Sequence, residues 1–335
     1  MTDGIYTLAN DGVFDQLVAL LNSIEANAGK DMPVCVIAYD QRLERTRAEI
    51  AQRPNVTLMD DETVFARWEA FSTQVWQTHA HALDTWKSQG IDGVYRLSCN
   101  HRYAAFDPEA PFDRFIYLDA DTLVLDSLDL VFNHLDHHSF VTYDFQFQHP
   151  KHIFNLESPR LLEIFSQERI NTEIFCSGFY ASHRGQFPAE QRDWLVSKLA
   201  EGESDVLYLR APNQSVLNYM TMRSQLSPHN LAIHLPADQR TGNSVTNSSF
   251  EFRADRHMYH NDRRMTYMHY IGLSSKLFKQ ISTGENIDFP YRDVFLHYRF
   301  LHTPNQKPTL TGKPKPYNAP PSLAKRVMRK LGLAS

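Results

Sequence analysis

The stretch Phe115-Ile116-Tyr117-Leu118-Asp119-Ala120-Asp121-Thr122-Leu123-Val124-Leu125 decides how this chain is read. A short, charge-free run rich in β-formers leads into two carboxylates one residue apart, and a second apolar run follows. The first run reads as a buried strand. Asp119 and Asp121 then stand at its carboxyl end, where open α/β sheets bind their ligands. Two carboxylates held together repel each other and are costly to desolvate; a divalent cation relieves both problems. The pair therefore points to an oxygen-ligand metal site, with Mg²⁺ or Mn²⁺ the natural guests. A surface turn is the plainer reading of so short a motif. A turn, however, needs neither a buried strand before it nor Thr-Leu-Val-Leu behind it.

Upstream, Gly4 to Ala9 is a strand candidate ended by the turn signal Asn10-Asp11-Gly12. Phe14, Leu17, Val18, Leu21 and Ile24 recur at helical spacing. Pro33 to Ala38 is a second strand, Arg42 to Ala51 a polar helix and Val56 to Met59 a third strand. Strands alternating with helices predict βαβ units and a parallel sheet with right-handed crossovers. Thr63 to Gly90 reads as one long helix or two consecutive ones. His79 and His81 lie two apart, on different helix faces, and are read as structural.

Downstream, Ser139 to Tyr143 and Ile174 to Tyr180 are strand candidates. Gly178 sits inside the latter, where glycine is tolerated if something approaches the backbone closely. A helix begins near Pro212 with Asn213 as its expected cap. Residues 236–264 are polar and read as a long loop. Thr266 to Lys276 is a strand giving way to a Gly/Ser turn.

The composition narrows the classes. A formal charge of −5 over 335 residues argues against nucleic acid as a partner. No apolar run is long enough to span a bilayer, and the start lacks a signal-like segment. Cys35, Cys99 and Cys176 are scattered, which fits a reducing, cytoplasmic setting.

With those residues laid out, the chain resembles the glycogenin-like branch of the family 8 retaining glycosyltransferases, of GT-A fold. The matches run in order through most of residues 5–280. Thr7-Leu8-Ala9-Asn10-Asp11 is similar to the segment that cradles the nucleoside, and Arg102 to the basic residue that reaches the donor diphosphate, with Arg96 as the alternative register. Leu118 to Leu125 is close to the family's metal motif, and Cys176-Ser177-Gly178 stands where Asn-Ser-Gly is usual. Asn213-Gln214 stands for Asp-Gln, ahead of Leu217-Asn218. His269-x-x-Gly272-x-x-x-Lys276 resembles the family's His-x-x-Gly-x-x-Lys-Pro-Trp with one extra residue.

The resemblance implies an α/β, Rossmann-like, mainly parallel sheet flanked by helices. It implies a hexose-type sugar moved, with retained configuration, from a nucleotide-diphosphate donor such as a UDP-sugar to a glycan or lipid-linked acceptor. Asp119, Asp121 and His269 would hold Mn²⁺ or Mg²⁺, and the nitrogen ligand favours Mn²⁺. Ala120, Ser177, Gly178, Gly272 and Lys276 would line the donor site; Asn213 and Gln214 would meet the transferred sugar. Attack from the leaving-group face needs no protein nucleophile; for a double displacement, Asp144 is the nearest acid. Three departures stand out: Asn213 where an acid is usual, Cys176 for Asn, and Leu277-Phe278 for Pro-Trp. They leave a weak or inactive sugar-nucleotide-binding protein as an alternative. A haloacid-dehalogenase-like phosphatase fits less well, because Asp-x-Asp-Gly-Thr lacks its glycine here.

The expected organisation is a catalytic domain over 1–302, a Pro/Lys-rich linker over 303–321 and a tail over 322–335. Residues 301–335 carry seven Lys/Arg and no acid. Residues 322–333 form a basic amphipathic pattern, suited to resting on the inner face of a membrane or to docking a partner.

Overall fold

The computed structural model describes residues 1–318. Its centre is a seven-stranded sheet. In chain order the strands are β1 (Asp3–Ala9), β2 (Val34–Ala38), β3 (Val56–Met59), β4 (Arg114–Asp119), β6 (Phe140–Thr142), β7 (Phe179–His183) and β8 (His229–Asn230). A short strand, β5 (Thr122–Val124), lies outside this sheet. The spatial order is β3-β2-β1-β4-β7-β6-β8. β7 runs antiparallel to both of its neighbours, and every other pairing is parallel.

The order reverses between β1 and β4, which pair with Leu8 opposite Asp119. A crevice opens at the carboxyl ends of such a pair because the following connections leave in opposite directions. The apolar run of β4 forms a strand for the reason its sequence gives: Phe115, Ile116, Tyr117 and Leu118 are fully buried, with alternate side chains entering different cores. One core packs Trp68, Trp76, Trp86 and Tyr103 under one face; the other packs Leu17, Leu20, Leu21 and Ile24 of helix Phe14–Asn27 under the opposite face. Each such side chain contributes about 1.5–3 kcal/mol by burial.

The stretch expected as one or two helices is two, Glu62–Gln77 and Ala82–Ser88. Asp61 caps the first by accepting from the N–H groups of Thr63 and Val64. Residues 236–264 are not a plain loop. They contain a three-stranded antiparallel sheet of β9 (Glu251–Phe252), β10 (Met258–His260) and β11 (Arg263–Arg264). β12 (Tyr267–His269) then pairs antiparallel with β5. A third core, with Leu123, Leu125, Met268, Tyr270, Phe278 and Phe295, packs this second unit together.

Within the segment expected as a linker, β14 (Thr311–Pro316) pairs parallel with β13 (Glu285–Asp288). β14 is exposed throughout and carries Pro314, which an edge strand tolerates. The tail, including the amphipathic helix expected at 322–333, lies outside the described residues. No helix among the described residues is long and apolar enough to cross a membrane.

Candidate active site

β4 ends on Asp119, and the Thr122 hydroxyl donates to the Asp119 carbonyl at 2.7 Å, tightening the turn into β5. The β5–β12 pairing sets His269 opposite Thr122, and the Tyr270 N–H donates to the Asp121 carbonyl at 2.9 Å. A residue about 150 positions downstream is thereby fixed beside the motif. His269 Nε2 lies 3.2 Å from Asp121 Oδ1. One ligand atom from each of Asp119, Asp121 and His269 falls within 4.8 Å of the others.

Gly178 makes this convergence possible. It precedes β7, rather than lying inside a strand as expected, because the ladder to β4 begins at Phe179. A Cβ there would stand 2.4 Å from His269 Cε1 and 3.1 Å from Asp119 Oδ2. The close approach is by the His269 and Asp119 side chains themselves.

The residues present fit a divalent cation. Two carboxylates and an imidazole converge, and the glycine leaves room at their meeting point. Burial opposes charge on His269, but the Asp121 carboxylate outweighs it and lifts the imidazole well above its ordinary range. Burial likewise raises Asp121, yet His269 prevails and holds that carboxyl below its ordinary range.

Arg102 stands behind Asp119. It is 5% exposed, and each of its nitrogens has a partner: Nε donates to the Cys99 carbonyl (3.0 Å), one terminal nitrogen to the Ser177 carbonyl (2.9 Å), and the other lies 3.2 Å from Asp119 Oδ1. The Tyr117 ring lies 4.9 Å beneath its guanidinium, and the Tyr117 hydroxyl also donates to Asp119 Oδ1 at 3.0 Å. Burial opposes the charge most strongly, but Asp119 together with Tyr117, Cys99 and Tyr180 outweighs it and keeps the guanidinium protonated. In this arrangement Arg102 braces the first carboxylate and the Ser177 loop. Arg96, the alternative, begins the 3₁₀ stretch Leu97–Phe106 with left-handed backbone (φ 57°).

Thr7, Leu8 and Ala9 are buried within β1, so their side chains belong to the core. The Asn10 amide donates to Asp40 at 2.9 Å and accepts from the Gly12 N–H at 2.8 Å. Asp11 accepts from the Arg45 and Thr46 N–H groups and the Thr46 hydroxyl, capping helix Glu44–Ile50 across the sheet's carboxyl end. Ala120 is buried between the two acids.

The expected cap is corrected. Helix Pro212–Arg223 takes Pro212 at its first turn, where proline's missing N–H costs nothing, so Asn213 lies inside the helix. Its side-chain amide makes no hydrogen bond within the described residues, whereas its carbonyl accepts from Tyr103. Gln214 is engaged: Oε1 accepts from the Ser177 N–H at 3.0 Å, and Nε2 donates to the His152 carbonyl at 3.2 Å. Gly272 adopts φ +81°, which explains the glycine by conformation. Lys276 is exposed on the first turn of helix Ser275–Ser282 and forms no ion pair among the described residues.

A cleft of about 770 Å³ opens beside the cluster, lined by Asp144, His149, Lys151, Cys176, Asn243 and His269 among others. One of these, Asn243, had no sequence signal. Asn243 accepts the His269 N–H on its carbonyl (2.7 Å) and bonds the Tyr143 carbonyl and Tyr267 hydroxyl through its amide. Asp144 is buried, with its oxygens accepting from the Gln146 and Cys176 N–H groups. Burial outweighs those bonds and raises its carboxyl to about 7. Sequence reasoning reached Asp144 only as a strand-end acid.

No protein-family profile matches the chain, and no curated protein does. Solved structures do match. The apo structure of the bifunctional glycosyltransferase WbbM is 15% identical, with a TM-score of 0.54 over 89% of this chain. This chain spans 49% of that one, about half its length. The galactosyltransferase LgtC, in complex with donor and acceptor sugar analogues, is 17% identical with a TM-score of 0.51; the match covers 83% of this chain and 94% of that one. An active-site mutant of LgtC matches at 16% identity and a TM-score of 0.50, over the same shares of each chain. At these identities the likeness is one of fold. The chain has the expected α/β, GT-A type of fold, a mainly parallel sheet flanked by helices.

Proposed function

We propose that this chain is a metal-dependent retaining glycosyltransferase of the glycogenin-like family 8, moving a hexose-type sugar from a UDP-sugar to a glycan or lipid-linked acceptor. One observation carries the reading: His269, distant in sequence, is held against Asp121 and Asp119 at the carboxyl end of the central strand. The neighbours named as glycosyltransferases support it through their shared fold.

Asp119, Asp121 and His269 hold Mn²⁺ or Mg²⁺, which supplies positive charge against the charge that develops on the departing diphosphate. Arg102 and Tyr117 position Asp119 for this by fixing Oδ1. Lys276, exposed and unpaired among the described residues, closes on the phosphates from outside. Asn213 presents its amide to a sugar hydroxyl, and Gln214 shapes the pocket by tying Ser177 to His152. Asp144 is a poor nucleophile near neutral pH, because burial keeps its carboxyl partly protonated. That favours attack from the leaving-group face, with the leaving phosphate taking the acceptor's proton. The chain works in the cytoplasm, with membrane contact through residues 322–333.

Calorimetry of UDP binding with and without Mn²⁺, followed by sugar release from UDP-hexoses, tests the reading. Metal-dependent binding with turnover is expected. Metal-independent binding overturns the site. Metal-dependent binding without turnover identifies a sugar-nucleotide-binding protein of the same fold, the outcome that Asn213 in place of an acid favours.

A further inference from the structure

A second group of metal-ligating side chains lies at the edge of the sheet, three strands from β4. His134 lies in the last turn of helix Asp129–Leu135, and His138 follows four residues later, its N–H donating to the His134 carbonyl at 3.1 Å. His229 enters from edge strand β8, where it pairs with Val141 of β6. One ring nitrogen from each of the three falls within 4.8 Å of the others. The rings stack: 3.7 Å separates the centroids of His138 and His229, and 5.0 Å those of His134 and His229. His234 adds a fourth imidazole, 4.3 Å from His229.

His229 Nε2 is shut off from solvent and has no hydrogen-bond partner. A ring nitrogen in that position has lost water and gained nothing, a cost that a ligand would remove. Charge is also disfavoured on the group. Burial, and after it the neighbouring imidazoles, depresses His134, His138 and His229, the last to about 4. Neutral imidazole is the form that binds metal. Asp119, Asp121 and His269 suit a hard cation, whereas a set of nitrogens alone suits a borderline one.

We propose that His134, His138 and His229 form a second metal site, which takes Zn²⁺ or a similar borderline dication and ties edge strand β8 to the segment entering β6. Zn–N bonds of about 2.0–2.1 Å draw the rings from their stack to a common point. The tie acts where the sheet is weakest: β8 is two residues long and terminates the ladder. The inference stands apart from glycosyl transfer and is tested without it.

The full chain, stripped of metal and supplied with excess Mn²⁺ to occupy the acidic cluster, is titrated with Zn²⁺ against a chromogenic chelator and melted in parallel. The expected result is one Zn²⁺ per chain and a higher Tm. His229→Gln and His138→Gln each weaken Zn²⁺ binding by about tenfold or more and abolish the Tm rise. Asp121→Asn leaves the zinc response unchanged. Absence of stoichiometric binding overturns the site, as does binding lost in Asp121→Asn but kept in the histidine variants. If His229→Gln fails to fold, His138→Gln gives the same readings, since His138 lies outside any helix or strand.

Discussion

The Asp119/Asp121/His269 cluster and the His134/His138/His229 cluster bring together the same number of ligand atoms, yet the protein holds them differently. The acidic cluster is charged and braced. Arg102 and Tyr117 fix Asp119, Asn243 fixes the backbone of His269, and Gly178 clears the space between. The histidine cluster is neutral, is held by ring stacking, and leaves a buried nitrogen unpartnered. Charge needs a scaffold of countercharges before a ligand arrives; neutral imidazoles need only proximity. The acidic cluster is therefore sensitive to its supporting residues, and the histidine cluster to its ligands alone.

Four experiments bear on that contrast. Arg102→Ala should have the largest effect, since it leaves the Asp119 carboxylate and two carbonyls without their buried partner. A loss of about 3–5 kcal/mol is expected in urea unfolding, and Arg102→Lys should not restore it because lysine cannot meet all three. A near-neutral Arg102→Ala would dissolve the distinction. Next, Asp121→Asn should lower transfer by about 10²–10³-fold in initial-rate assays, as loss of a charge-stabilising group does. Gly178→Ala follows: its Cβ intrudes on His269, and a cost of about 1–3 kcal/mol should be read as weaker Mn²⁺-dependent UDP binding. Wild-type affinity in that variant would mean that the imidazole is not a ligand.

The smallest effect is in pH, and it sets the two regions against each other. The Asp144 carboxyl is raised from its ordinary 3.8 to about 7 in the folded chain, so its contribution is present below pH 3.8 and is lost as pH rises through 7. His229 is depressed from 6.5 to about 4, so its contribution is present above pH 6.5 and is lost as pH falls through 4. Between about pH 4 and 6.5 the two oppose each other. Asp144→Asn should unmask a stability that falls toward acid, and metal-free His229→Gln one that falls toward neutral pH, by at most about 1.4 kcal/mol per pH unit. Identical profiles in both variants would show that neither group titrates as its burial requires.

What the sequence disclosed depends on where the information lies. Phe115 to Asp121 was legible because burial, period and charge change within seven residues. The strand carrying His269 was legible too, but its seat beside Asp121 rests on pairing with β5, and Thr122 to Val124 look like any apolar run. The bracing by Arg102 was hidden because two of its three partners are backbone carbonyls, which carry no residue identity. β9, β10 and β11 were read as loop because strands of two or three residues are too short to show a period. His134 and His138 do show a four-residue spacing; His229, which completes their cluster, has nothing near it in sequence to mark it.

The β5–β12 pair also sets a time for function. Asp119 and Asp121 leave the ribosome with the first half of the chain, and the β1–β4 core can form around them. His269, which completes the cluster, is translated some 150 residues later, after β9, β10 and β11. Until His269 and Tyr270 emerge, Asp121 lacks both its imidazole and the N–H on its carbonyl. A chain ending before residue 267 would therefore lack the imidazole that stands beside Asp121.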